Sequence, residues 1–428
     1  MTSTAAPISD SGWQRRHTVV LLCFFSTFIC YIDRVNISVA IIPMAQEFGW
    51  SDTERGMVLS SFFAGYLITQ VLGGWLAQKL GGKAVLGFGV LWWSVFTIIT
   101  PLSAFTSFPV LIAARIAMGL GEGVAFPSVY HMFGRWVPAR ERSRAASFNL
   151  AAIPAGTLAA IIVTPFLAVT FGWPSVFYVF GIVGLIWFAF WWFLVSDEPA
   201  KDSRMGEAER EMFRYENGKG EAGDSEPIPW RALLTKKPVW AIIVTHFCNN
   251  WGLYVLLSWL PSYFASELGI SLRSVWIYVA PPWIASFVIG NMVGVLADKL
   301  IAKGWTVTRV RRFMQIIGSS APAIGLVLLA NVKDAKTAVI LLTVSMGFSS
   351  FSFAGFASNH LDVAPRHAGI LFGISNTFAT IPGIVGVVLT GYLVDVTGTF
   401  ASAFYLTAGM YAFGLIVWQL FSTGERII

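Results

Sequence analysis

Apolar residues run through this chain in long blocks, most of 20 residues or more, each closed by a charge, a glycine or a proline. Twelve such blocks predict spanning helices at 18–46, 55–78, 84–104, 107–133, 143–169, 174–195, 238–264, 274–300, 310–332, 336–360, 367–393 and 400–422. A membrane β-barrel would instead show short alternating segments. The one long polar stretch, 196–237, holds EPAKDSRMGEAEREMFRYENGKGEAGDSEPIPW and reads as a linker, with a short surface helix predicted at MGEAEREMF. The pattern divides the chain into a six-span bundle at 1–195, the linker at 196–237, and a second six-span bundle at 238–428.

The two halves echo each other. GGWLAQKLGGK from Gly73 follows the second span, and VGVLADKL from Val293 follows the eighth. IIPMAQEFGWS matches WLPSYFASELGIS, and ASFNLAAIPAG matches GISNTFATIPG. The expected fold is an all-α membrane protein of twelve transmembrane helices in two pseudo-symmetric six-helix bundles. A parallel duplication of this kind, with a site between the halves, is the build of a secondary transporter.

Composition agrees: of 428 residues, 56% are hydrophobic and 12% charged, against about a quarter charged in soluble domains. The net charge of +6 does not indicate a nucleic-acid partner, because the basic residues gather in the predicted loops. With the N-terminus inside, about 23 of the 29 Lys and Arg fall on the cytoplasmic side. Arg55, Arg273, Lys333 and Lys336 fall outside. Both termini are therefore expected in the cytoplasm, with Arg135, Arg140, Arg142 and Arg144 marking one cytoplasmic exit. Cys23, Cys30 and Cys248 lie in spans, without disulfide or zinc spacing. The first seventeen residues lack a secretory core, so the first span is expected to act as the insertion signal.

Charges inside the spans carry the candidate chemistry. Arg115 and Glu122 in the fourth span are seven residues apart, about two turns, which puts them on one helix face roughly 10.5 Å apart. Gly119 between them leaves a small gap bracketed by a guanidinium and a carboxylate. A charge at mid-bilayer costs roughly 2.5–3.5 kcal/mol on insertion scales. The first span carries Asp33 and Arg34, which as neighbours point about 100° apart, and Ser38 shares the Arg34 face. Arg34 with Ser38 reads as one wall of an anion site and Arg115 as the facing wall, since guanidinium forks hold carboxylate or phosphate oxygens in two directions. Asp33 and Glu122 are the candidate cation-coupling groups. In this reading ionised Glu122 holds Arg115 until a proton, or a cation at Asp33, frees it for the anion. The plainer alternative is that Asp33 with Arg115, or Glu122 with Arg34, merely lets helices pack. Two arginines and two carboxylates exceed what one structural pair requires.

The matching part of span seven, THFCNNWGLY, carries His246, Asn249 and Asn250. The Asn pair either completes the pocket from the second half or acts as interhelical glue, and both readings stand. Span ten, FSSFSFAGFASNHLD, offers a small, hydroxyl-bearing face. His131 and His367 near membrane ends read as structural, and His360 and Asp362 sit at a helix end. Five dispersed His and three Cys form no metal site and no catalytic cluster, so no enzyme is expected. The lysines of GGWLAQKLGGK, with Arg142 and Arg144, are candidates for a cytoplasmic clamp. In the second copy Asp298 is a candidate partner for Arg309, Arg311 or Arg312, although solvated topology charges explain these residues equally well.

YIDRVNISVAI, SSFFAGYLITQVLGGWLAQKLGGK, ARIAMGLGEGVAFPS, WVPARERSRA, FGWPSVFY, THFCNNWG and SNHLDVAPRHAGILFGISNT together resemble the anion/cation symporter branch of the major facilitator superfamily. That branch includes sialin, vesicular glutamate transporters, plant plastid anion and phosphate transporters, and bacterial sugar-acid transporters. IPWRALLTKKPVWA and FSTGERI resemble the plastid group in particular. The resemblance implies substrate binding by Arg34 and Arg115 and coupling by Asp33 and Glu122, and it draws attention to Ser38, Arg142 and Asp362. Leu59 stands where the glutamate type has a His, and Asn249 where it has an Arg, which argues against glutamate. Gln78 stands where the superfamily usually has an acidic residue, which implies a weaker or differently built first-half gate.

The expectation is a monomeric symporter in the cell (inner) membrane, or an organelle membrane in a eukaryote. It would move a small anionic substrate, phosphate or a carboxylate such as a sugar acid, with H⁺ or Na⁺ and no other cofactor. The leading rival is a transport-incompetent sensor on the same fold, which would carry an added signalling domain; none stands in this sequence. A channel fits the duplication and the paired buried charges less well.

Overall fold

The computed structural model describes residues 12–138, 141–218 and 229–427. Arg140 of the basic cluster, the first eleven residues and linker residues 219–228 lie outside this range. The described residues are helical almost throughout, with no strand among them. The first half holds α1 (Arg15–Phe48), α2 (Asp52–Leu80), α3 (Gly82–Thr106), α4 (Phe108–Glu122), α5 (Ala125–Trp136), α6 (Arg142–Phe171) and α7 (Pro174–Leu194). Linker helices α8 (Glu207–Gly218) and α9 (Trp230–Thr235) follow. The second half holds α10 (Lys237–Ser262), α11 (Val275–Ala302), α12 (Val307–Leu329), α13 (Ala335–Ser349), α14 (Phe356–Val363), α15 (Ala368–Thr397) and α16 (Ala401–Phe421).

Among the described residues 11 helical segments are long and apolar enough to cross a membrane, and 12 when α2, bent by 51° about residue 71, counts as one span. Each lies within a few residues of its expected range. Their ends follow local chemistry. Ser51 and Glu54 form a reciprocal capping box at α2. Thr306 and Asp334 cap α12 and α13 by accepting from Arg309 N and Thr337 N. Gly49 and Gly398 close α1 and α15 at φ 68° and 71°.

Spans four and ten are both interrupted, α4/α5 at Gly123–Val124 and α13/α14 by a 3₁₀ turn at Ser350–Phe353. The matching breaks extend the internal repeat beyond its sequence echoes. α1, α2, α3, α4, α6 and α7 pack mainly on one another, and so do α10 to α16. The two sets meet along α2/α15, α6/α11 and α1/α10.

The linker helix α8 is clamped rather than free on the surface. Glu209, nearly buried, accepts the first N–H groups of α1, Arg15 N at 3.0 Å and Arg16 N at 3.1 Å. Arg16 also pairs with Glu141 at 2.9 Å, and Arg15 with Asp202 at 3.2 Å. Met205 and Phe213 join the apolar core of the first half. Burial pushes the Asp202 carboxyl up, but hydrogen bonds from Arg204 and the Arg15 charge outweigh it and hold the group below its ordinary value.

Candidate functional site

Arg34 sits past the middle of α1 and is buried, its side chain 5% exposed. Its Nη2 donates to Glu122 Oε2 of α4 at 2.9 Å. The Cys30 thiol, one turn back on α1, donates to the same oxygen at 3.2 Å. Aromatic rings enclose the guanidinium, with Tyr66 at 4.7 Å, Tyr31 at 4.9 Å and Phe62 at 5.1 Å from its carbon. Arg115 lies 5.8 Å from the same Phe62 ring. The two guanidiniums therefore flank one α2 side chain. Phe63, next to it, packs on Tyr254 of the second half at 4.5 Å between centroids.

Glu122 thus pairs with Arg34 rather than with Arg115, so of the two pairings open in the sequence the alternative is the one that forms. Helical periodicity does put Arg115 and Glu122 on one face, but about two turns separate them, while α1 brings Arg34 directly against the carboxylate. The gap expected at Gly119 is also absent. A Cβ there would collide with the backbone of Phe62 and Tyr66, so Gly119 admits α2 rather than a ligand. Gly65 and Gly123 meet the opposite backbone in the same way.

Arg115 is almost fully buried. Its Nη1 contacts Met118 Sδ at 2.9 Å, and its Nε has no partner. Asp33 is fully buried inside the first half, facing Trp93 of α3 and within electrostatic reach of Arg115. Asn36 donates to it only at 3.5 Å, and Asp33 Oδ2 and Trp93 Nε1 are both unpartnered. Glu122 Oε1 and Arg34 Nε are unpartnered as well. Burying polar atoms without partners is costly. This centre therefore holds unspent hydrogen-bonding capacity around two cations and two carboxylates.

The other expected residues have different placements. Ser38 is buried and donates to Val35 O of its own helix at 2.8 Å. Asn250 spends its amide on Ala379 O of α15 at 3.1 Å, while Asn249 Oδ1 is buried without a partner. Arg142 caps the C-terminus of α5, donating to Gly134 O at 3.0 Å and Val137 O at 3.1 Å. Asp298 is exposed and does not take the partners expected for it. Arg311 instead grips Asp362 with two bonds, at 2.6 and 3.1 Å. Arg312 turns to Ser422, and Arg309 covers the Trp305 ring.

Sequence reasoning missed Cys30, Phe62 and Tyr66. Cys30 had a usable signal, lying four residues from Arg34 on the same helix face. Phe62 and Tyr66 had none, because only packing of α2 on α1 and α4 makes them ring walls. Two further clusters were missed in the second half. Gln315 bridges the break in span ten, accepting from Phe356 N at 3.1 Å and donating to Ser319 at 2.9 Å and Ser352 at 3.2 Å. Ser375 joins His246 Nδ1 at 3.1 Å and His360 Nε2 at 2.8 Å, all three buried.

Spanning helices in two packed sets, with an arginine–carboxylate pair in a dry centre, have the build of a secondary membrane transporter. The family model "Major Facilitator Superfamily" matches residues 23–387, and the chain belongs to that family. It is 43% identical over 422 residues to "Ascorbate transporter, chloroplastic" of Arabidopsis thaliana, covering 97% of this chain and 77% of that one. It is 42% identical over 414 residues to "Sodium-dependent phosphate transport protein 1, chloroplastic" of the same plant, covering 97% and 80%. Its fold matches the crystal structure of a bacterial homolog to the human lysosomal transporter Spinster, with TM-score 0.79, 16% identity, and coverage of 96% and 97%.

Proposed function

We propose that this chain is a symporter that moves a small anion, inorganic phosphate or an organic carboxylate such as ascorbate or a sugar acid, by alternating access driven by H⁺ or Na⁺. The observation that carries the reading is the buried Arg34–Glu122 pair, with Arg115 beside the same Phe62 ring. A guanidinium held by an internal carboxylate is already neutralised, so ionised Glu122 competes with an incoming anion. A proton on Glu122 ends the competition and leaves Arg34 to the substrate. The same linkage in reverse makes the bound anion favour the protonated carboxylate, which couples the two flows. Asp33, out of direct contact with either arginine, acts on Arg115 through its charge, and a cation there would serve as the proton does.

In this reading Arg34 and Arg115 hold the anion, and Ser38, Asn249 and Asn250 turn toward it when the halves rock. Arg142, Asp298 and Asp362 support the cytoplasmic side. The chain works as a monomer of two bundles, 1–195 and 238–428, joined through 196–237, with both termini in the cytoplasm. The names of its relatives, with ascorbate and sodium-dependent phosphate among them, support the substrate range.

The deciding experiment is uptake into proteoliposomes of phosphate, ascorbate, sugar acids and dicarboxylates, with and without sodium and with an imposed pH gradient. Concentrative uptake of at least one of these anions under a cation gradient is expected. Accumulation of none under any gradient would overturn the reading.

A further inference from the structure

α2 and α15 belong to different halves and lie side by side. At the face opposite the chain termini the backbones touch. A Cβ on Gly391 would strike Asp52 O, and one on Gly56 would lie 3.0 Å from Val387 O. Further toward the terminal face the two helices still touch at Thr380, whose hydroxyl donates to Gln70 Oε1 at 3.3 Å.

Asp395 sits at the end where the backbones touch, in the last turn of α15. Its carboxylate accepts from Asp52 N at 2.9 Å, Thr53 N at 2.7 Å and the Thr53 hydroxyl. Asp52 and Thr53 open α2 in the other half. Ser51 of α2 itself takes only Glu54 N, at 3.2 Å, so the cap is shared between the halves. A carboxylate placed on free N–H groups at a helix N-terminus gains both charge-assisted hydrogen bonds and the favourable end of the helix dipole. One turn on, Arg55 crosses the same seam. It pairs with Asp52, donates to Ser262 Oγ at 2.6 Å and covers the Trp259 ring at 5.3 Å.

We propose that Asp395 is the latch of the gate at this face, a gating residue that sets how often the transporter opens there. Opening requires α2 and α15 to part, which breaks the three hydrogen bonds of a carboxylate that is already exposed to water. The contact therefore stabilises the closed state alone, and a group that favours one of two states moves the equilibrium by its differential free energy. α15 does not use the carboxylate for its own ending, since Gly398 closes that helix. This inference goes beyond the anion reading, because it concerns access from one face and not what is bound.

The test places spin labels on Thr106→Cys and Arg273→Cys, exposed positions in opposite halves at this face, with the buried native Cys23, Cys30 and Cys248 left in place, and measures their distance distribution by pulsed EPR. Asp395→Asn keeps the shape and removes the charge. It is expected to raise the open-to-closed ratio about tenfold, a rise that corresponds to about 1.4 kcal/mol. A rise of threefold or more supports the latch, and a smaller change overturns it. A purely structural role would lower the melting temperature without changing the distances. If Asp395→Asn does not fold, Thr53→Val decides. It deletes one of the three contacts, and a measurable gain in the open population supports the latch while none overturns it.

Discussion

The two halves bury polar groups of different kinds. The first centres on charge, with Arg34 on Glu122 and with Asp33 and Arg115 nearby, and it leaves several of these atoms unpartnered. The second centres on neutral groups whose bonds run between its own helices: Gln315 across the break in span ten, Ser375 between two imidazoles, and Asn250 on α15. A buried charge lacking a full set of partners is a poor structural device and a good switch, because a proton or an anion changes its balance by several kcal/mol. The neutral bonds named here have little to gain from either and keep helices in register, although Asn249 Oδ1 and Asn359 Oδ1 of this half are also buried without partners. Duplication supplied two similar frames, and under the proposed function the first would carry the coupling charges while the second lends mainly neutral contacts.

The strongest way to break this contrast is Arg34→Ala. It strands Glu122 as a lone buried carboxylate, with an expected stability loss of about 3–5 kcal/mol and uptake reduced to background. Arg34→Lys restores much of the stability but not uptake, because an ammonium lacks the guanidinium fork. Uptake by Arg34→Ala above a tenth of wild type would detach the charged centre from anion binding.

Glu122→Gln comes next. It keeps the hydrogen bond but cannot cycle between charged and neutral, so anion exchange should persist while uphill accumulation under a cation gradient is lost. Equal accumulation by mutant and wild type would remove Glu122 from coupling. Gly119→Ala drives a methyl into the α2 backbone and should cost about 1–3 kcal/mol, read as a lower melting temperature. An unchanged melting temperature would restore the gap that the sequence pattern implied at this position.

Ser375→Ala tests the neutral half. It leaves two buried imidazole nitrogens without their shared hydroxyl, an expected loss of about 1–3 kcal/mol, with accumulation at wild-type levels once corrected for folded protein. Lost accumulation in properly folded protein would mean that the second half also carries ions. The last test is in the linker, where Asp202 is buried among Arg15 and Arg204 and Asp202→Asn should cost about 1–3 kcal/mol. The native Asp202 carboxyl titrates below its ordinary value, so its contribution is full above that ordinary value and fades as pH falls through the native one. The melting difference between wild type and Asp202→Asn should shrink over the same acid range.

Much of the architecture was legible because a bilayer leaves few choices. Spans must be apolar and about 20 residues long, and buried charge is rare enough to mark itself. Those two constraints exposed the spanning helices, the linker and all four central charges. The choice between Arg115 and Arg34 as partner of Glu122 stayed open. Periodicity placed Glu122 on the Arg115 face, but a face is wide, and α1 supplied a nearer cation. Gly119 read as space because a missing side chain and an approaching backbone look alike in a sequence.

The chain by itself thus determined which spans form, roughly where they enter and leave the bilayer and which of them carry charge, because those properties rest on local hydrogen bonding and transfer to lipid. Tertiary packing alone decided that Glu122 meets Arg34, that Phe62 lies against both guanidiniums, and that Asp395 reaches the first turn of α2 343 residues before it. Contacts of that range depend on how helices cross and at what depth, and no local pattern encodes either.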